Sequence, residues 1–199
     1  MRVLVIGATG TIGSAVADAF GEHEVIRVGS RSGDVQADIS RPESIRQLFE
    51  KVGEVDAMVS CAGSARFNPL AELSDDDFAF SLANKLMGQV NLVRLGMEHV
   101  RDGGSITLTS GILSQVPIPG SAAISMVNAG VEAFARAAAL EAPRGIRVNT
   151  VSPPWVSETL VQMGRDPSGG LPAATVAKAY LSSVHDDVNG TVIDARRFA

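Results

Sequence analysis

Three glycines spaced three apart, in Gly7-Ala-Thr-Gly10-Thr-Ile-Gly13, constrain this chain more than any other feature. They follow an unbroken apolar run, Val3-Leu-Val-Ile6, and precede a helix-like stretch from Thr11 to about Phe20. An all-apolar strand is expected where helices cover both faces of a sheet. The first glycine can take the positive φ of a tight turn. The second lets the backbone approach a pyrophosphate, and the third lets the helix pack close to the strand. Amides at the helix N-terminus then face the phosphates. A glycine triplet alone is a weak signal. Between a strand and a helix it predicts a dinucleotide-binding β-turn-α unit, with Gly7, Thr9, Gly10, Thr11, Ile12 and Gly13 against the cofactor.

The rest of the chain continues the alternation. Strands are expected at Glu24 to Gly29, Val35 to Ala37, Val55 to Ser60, Ser105 to Thr109, Ile146 to Val151 and Thr191 to Asp194. Helices are expected up to Val52, from Ser74 onward, from Ser121 to Glu141 and from Ala173 to Ser183. Ser40-Arg-Pro-Glu43 has capping-box spacing, and Ser74 precedes three aspartates that suit a helix N-terminus. Residues 164 to 172 read as a loop. The pattern predicts one α/β domain over residues 1–199, a doubly wound, mostly parallel sheet of about seven strands with helices on both faces.

Bulk properties exclude several classes. A net charge of -5 argues against a nucleic-acid surface, which needs clustered Lys and Arg. Cys61 is the only cysteine, and His23, His99 and His185 are scattered, so no metal site is expected. The first apolar run is too short for a signal or membrane segment, so a cytoplasmic protein is expected.

The end of the second strand separates NAD from NADP. An NAD site needs a carboxylate there to bind the ribose hydroxyls. This chain has Val28-Gly-Ser-Arg31 instead, and Ser30 with Arg31 suits a 2′-phosphate. NADP(H) is the expected cofactor. Asp38 is placed either to accept from the adenine amino group or to serve the following helix as a turn residue.

At this point the chain resembles the short-chain dehydrogenase/reductase family over essentially its whole length. The glycine loop is similar to that of the extended and atypical branches. Ala37-Asp-Ile39 resembles the adenine-contacting stretch. Ser60-Cys-Ala-Gly63 resembles an Asn-Asn-Ala-Gly motif with both asparagines replaced. Gly145-Ile-Arg-Val-Asn149 and Val151-Ser-Pro153 resemble the strand and proline turn beside the nicotinamide, and residues 190 to 194 the final strand. The resemblance implies that Asp38, Ile39, Cys61, Ala62, Gly63, Pro153 and Val156 contact the cofactor. It also implies a homodimer or homotetramer.

The family's catalytic set of Ser, Tyr, Lys and Asn does not carry over. By register the Tyr position is Ile124, the Lys position Asn128, the Asn position Lys85, and the Ser position Gly111 or Ser110. Isoleucine cannot donate a proton, and asparagine carries no charge. Lys85, at the edge of a helix's apolar stripe, is the candidate replacement proton donor, since desolvation lowers a lysine pKa. Ser110 is the candidate to orient a substrate carbonyl. Phe67 and Trp155 are candidate pocket rings. The expected activity is reduction of a small carbonyl or related unsaturated compound. The alternatives are a catalytically degenerate NADP(H)-binding sensor or scaffold, and a non-redox enzyme of lyase or cyclase type.

Overall fold

The computed structural model describes residues 1–199. Seven strands form one sheet in the order β3-β2-β1-β4-β5-β6-β7, every neighbouring pair parallel. They are β1 (Arg2–Ile6), β2 (Glu24–Gly29), β3 (Val35–Gln36), β4 (Val55–Ser60), β5 (Val100–Thr109), β6 (Arg147–Ser152) and β7 (Val192–Asp194). The helices are α1 (Thr11–Ala19), α2 (Pro42–Val52), α3 (Asp75–Ser81), α4 (Met87–Gly96), α5 (Ala122–Glu141), α6 (Ser157–Gln162) and α7 (Ala173–His185). A π-helical turn, Leu82–Leu86, joins α3 to α4. The expected doubly wound α/β fold is what the chain forms. No helix is long and apolar enough to cross a membrane, and no cluster of His, Cys, Asp or Glu could hold a metal ion.

The strand sequence dictates two cores. Successive side chains of a strand point to opposite faces. Leu4, Ile6, Met58, Ile106 and Leu108 meet α2, α4 and α5 on one face. Val3, Val5, Ala57, Val59 and Val151 meet α1 and α7 on the other. Phe49 of α2 fills the first core so tightly that a Cβ on Gly96 of α4 would strike its ring.

Some local details depart from sequence expectation. Ser40 does not cap α2: the helix starts at Pro42 after Arg41, and the Ser40 hydroxyl donates to Asp38 instead. Strand β5 begins five residues earlier than expected, because a register shift between Val55 and Ala57 of β4 absorbs the polar Arg101-Asp-Gly-Gly104 stretch. Helix α6 falls in a stretch where the sequence pattern predicts no element, before the loop expected at residues 164–172, and its Glu158 carboxylate accepts from the Ala173 amide that opens α7. Ser74 does cap α3, in a full capping box with Asp77.

Replacing Phe49 with alanine empties the tightest contact of the first core. The expected result is a loss of about 3–5 kcal/mol in unfolding free energy, read as a lowered urea midpoint with an unchanged slope.

Candidate cofactor and substrate site

The site lies at the C-terminal edge of the sheet, where the strand order reverses between β1 and β4. The glycine turn leaves β1 with Gly7 at φ +83, its amide donating to the Val28 carbonyl at 2.8 Å. A Cβ on Gly7 would come 2.8 Å from the Ala62 amide, and one on Gly13 would collide with the Gly7 carbonyl. Side chains at these points would push α1 off the sheet and fill the cradle. The helix therefore opens at Thr11 with its first amides facing a bare backbone trough.

Two pockets share this edge and meet at Gly63, which lines both. The first holds Gly7, Thr9, Gly10, Ser30, Asp38, Ile39, Cys61 and Ala62. The second holds Ile12, Ser110, Gly111, Pro153, Trp155 and Val156, together with Ile124 and Asn128. The sequence-assigned residues that line them thus divide between a half built on the glycine turn and a half built on the Pro153 turn. Thr11, Gly13 and Arg31 line neither pocket. The Thr11 hydroxyl accepts from Gln162 at 3.3 Å, Gly13 is buried under the turn, and the Arg31 side chain is exposed next to Ser30. Asp38 reaches the pocket but also accepts from the Ser40 amide and hydroxyl at 3.0 and 2.7 Å, so its turn role is realised as well. Trp155 packs edge-on against Phe67, ring centroids 6.1 Å apart, and only Trp155 faces the second pocket.

Beneath Gly63 lies Lys85. It is 8% exposed, and its Cα is 3.2 Å from where a Gly63 Cβ would be. The π-helical turn puts Lys85 behind the trough and its neighbour Asn84 into the first pocket, where Asn84 accepts from the Ser64 amide at 2.8 Å. Burial pulls the Lys85 pKa down from 10.5 to about 8. Lys85 lines neither pocket, so its position suits a charge set behind the cofactor better than contact with a substrate carbonyl.

Ser110 does line the second pocket, but its hydroxyl is already engaged. It donates to Glu132 Oε1 at 2.9 Å, and Ser114 donates to the same oxygen at 2.6 Å. The carbonyl-orienting role expected of Ser110 would require it to give up that bond. Glu132, buried on α5, escaped the sequence reading. The signal was present: it lies four residues after Asn128 and one after Val131, inside the helix's buried stripe.

A paired polar network lies under the end of β5. Tyr180, the only tyrosine, is fully buried on α7 and bonds to the Thr109 hydroxyl at 2.7 Å. Gln89 pairs with the backbone of Thr109 through both its oxygen and its nitrogen. Burial pushes the Cys61 thiol up to about 12 and the Tyr180 hydroxyl well above its ordinary value. Neither is a nucleophile or acid near neutrality. Asn128 lines the second pocket, and its Oδ1 is buried with no partner, as are the hydroxyls of Ser60, Ser105, Thr150 and Ser152. An unpaired buried acceptor and a trough that any Cβ would fill both fit a dinucleotide carrying hydroxyl and amide donors.

Comparison with known proteins agrees. A family model described as enoyl-(acyl carrier protein) reductase matches residues 7–189. The chain belongs to the short-chain dehydrogenase/reductase family. An uncharacterized oxidoreductase of Methylorubrum extorquens is 30% identical over 185 residues, covering 89% of this chain and 74% of that protein. A hydroxynaphthalene reductase-like protein of Metarhizium brunneum is 31% identical over 136 residues, 65% of this chain and 51% of that protein. The chain therefore spans about half the length of that reductase-like relative. Among solved structures, the protein lin1944 from Listeria innocua superposes with a TM-score of 0.94 at 46% identity, covering 98% of each chain. A small-chain dehydrogenase solved in complex with NADPH superposes at 0.85 with 27% identity, covering 98% of this chain and 95% of that one.

Lys85 yields a stability prediction with a definite sign. Its folded pKa of about 8 lies below the ordinary 10.5, so below pH 8 the folded state bears the full cost of burying the ammonium. Between about pH 8 and 10.5 the unfolded chain binds more protons, and stability rises with pH. Lys85→Met is expected to stabilise the protein at pH 7 by roughly 3 kcal/mol, the gain shrinking toward pH 10.5. Urea titrations across that range measure it.

Proposed function

We propose that this protein is an NADP(H)-dependent oxidoreductase of a small carbonyl compound, with the cofactor across both pockets and the substrate beside Ser110 and Trp155. The observation that carries the reading is the pair of pockets joined at Gly63, one built on the glycine trough and the other on the Pro153 turn. A family member of the same fold was solved with NADPH. The bound cofactor would supply or accept a hydride at its nicotinamide ring. Ser30 and Arg31, with no carboxylate at the end of β2, favour a 2′-phosphate. Lys85 places positive charge behind the trough, against the cofactor's phosphates and ribose, and Asn128 offers its free carbonyl oxygen to a cofactor donor. Exposed Met87 on α4 and exposed Met126 and Leu140 on α5 give a homodimer or homotetramer an apolar face to bury.

A second reading has its own observation. Ile124 and Asn128, which by sequence register take the positions of the family's Tyr and Lys, line the second pocket, and this supports a protein that binds NADP(H) without turning it over. Fluorescence titration with NADPH, followed by NADPH oxidation against a carbonyl panel, separates the two. Binding with turnover supports the oxidoreductase, binding alone supports a sensor or scaffold, and absence of binding sinks both.

Arg31→Ala is expected to raise the Kd for NADPH by about tenfold or more, from loss of a charge-assisted bond, while leaving NADH affinity unchanged. Equal effects on the two cofactors would remove Arg31 from 2′-phosphate recognition.

A further inference from the structure

With Ile124 and Asn128 in the family's Tyr and Lys positions, the proton that accompanies hydride transfer needs another route. The second pocket offers one hydroxyl backed by an acid. Ser110, 4% exposed at the end of β5, lines the pocket beside Ile124 and Asn128. Its hydroxyl lies 2.9 Å from Glu132 Oε1, and its other acceptor, the Val151 carbonyl, is at 3.5 Å. Glu132 is 6% exposed and has no Lys or Arg partner. A carboxylate withdrawn from water without a cation is costly and must be held by hydrogen bonds. Ser110 and Ser114 supply them, both to one oxygen. Glu132 thus sits one hydroxyl away from the pocket, through Ser110, with no ion pair of its own.

The consequence for Ser110 is directional. A hydroxyl has one hydrogen and two lone pairs. With its hydrogen given to Glu132, Ser110 shows the pocket a lone pair. It is then an acceptor, matched to an O–H group and mismatched to a carbonyl oxygen.

We infer that the Ser110–Glu132 pair receives the hydroxyl of an alcohol substrate and takes its proton, in place of the absent tyrosine. The inference rests on the NADP(H) reading above. In the oxidative direction the carbinol C–H bond breaks, and its hydrogen leaves with both electrons for NADP⁺. The O–H proton passes to Ser110 Oγ while the proton of Ser110 passes to Glu132 Oε1, and the carbinol oxygen forms its second bond to carbon. Ser110 ends unchanged, Glu132 ends neutral, the substrate is a carbonyl and the cofactor is reduced. Reduction runs the same path backwards and draws its proton from Glu132. Ser110 is the catalytic residue, and Glu132 positions it and stores the proton.

The test uses secondary alcohols and the ketones of the same skeleton: cyclohexanol with cyclohexanone, and 1-tetralol with 1-tetralone. Binding is measured calorimetrically on the full chain saturated with the redox-inert analogue tetrahydro-NADP, and alcohol oxidation is measured separately with NADP⁺. Wild type is expected to bind the alcohol of at least one pair about fivefold or more tighter than its ketone. Glu132→Gln keeps that preference, because an amide oxygen still accepts from Ser110, but loses alcohol oxidation by about 100-fold or more, because it cannot store the proton. Glu132→Ala frees the Ser110 hydrogen and cancels or inverts the preference. Ketones bound as tightly as alcohols, no binding of any probe, a preference that survives Glu132→Ala, or full turnover in Glu132→Gln would each overturn the inference. Fluorescence titration of the cofactor runs alongside: a wild type that binds no NADP(H) overturns the cofactor reading instead.

Discussion

Everything in this molecule is referred to the contact between Gly13 and the Gly7 carbonyl. Because no side chain separates them, α1 lies directly against the end of β1, and its N-terminus faces outward over the trough. The same closeness sets Ala62 against Gly7, which fixes how β4 ends, and Gly63 then divides the cleft into its two halves. Lys85 is packed behind Gly63, so a cation on a distant helix is placed by a turn near the start of the chain. The free energy for this arrangement comes from the two cores of buried aliphatic side chains, which clamp the sheet from both sides and leave its C-terminal edge open.

The open edge divides its polar groups into two kinds. Some are paired: Thr109 bonds with Tyr180 and Gln89, and Thr107 with Ser183. Gln89 acts on β5 much as another strand would, exchanging bonds with the Thr109 backbone. These satisfied groups make the floor rigid and chemically quiet. Others are not: Asn128, which lines the second pocket, has a buried carbonyl oxygen without a partner, and the buried hydroxyls of Ser60 and Ser152 at the strand ends lack one too.

How much of this was legible in the sequence depended on whether the signal was local. The glycine turn, the β1, β2 and β4 bounds and the Ser74 cap follow from neighbouring residues, and they were readable. Ser40 has the spacing of a cap, yet Asp38 competes for its hydroxyl, and that competition depends on how the chain turns after β3. The start of β5 was hidden by polar residues that a register shift carries past the sheet. Helix α6 is a single short amphipathic piece after two prolines, too brief for periodicity to reveal. Lys85 read as the edge of a stripe because a regular helix puts it there; the π-helical turn rotates it inward. Glu132 stood inside a buried stripe in plain view, but its partners Ser110 and Ser114 come from another segment, and pairing across such distances is not written in spacing.

Tyr180 carries a consequence for the order in which the molecule is built. Its hydroxyl completes the network under the site from 71 residues beyond Thr109, on the last helix of the chain. During synthesis β1, β2 and β4 emerge early, yet β1 and α1, which frame the glycine trough, share their core with α7. The floor under the site stays open until α7 has been made and docked, and closing so long a loop is slow compared with local structure. The nucleotide cradle and the substrate half therefore both wait for the last helix of the chain.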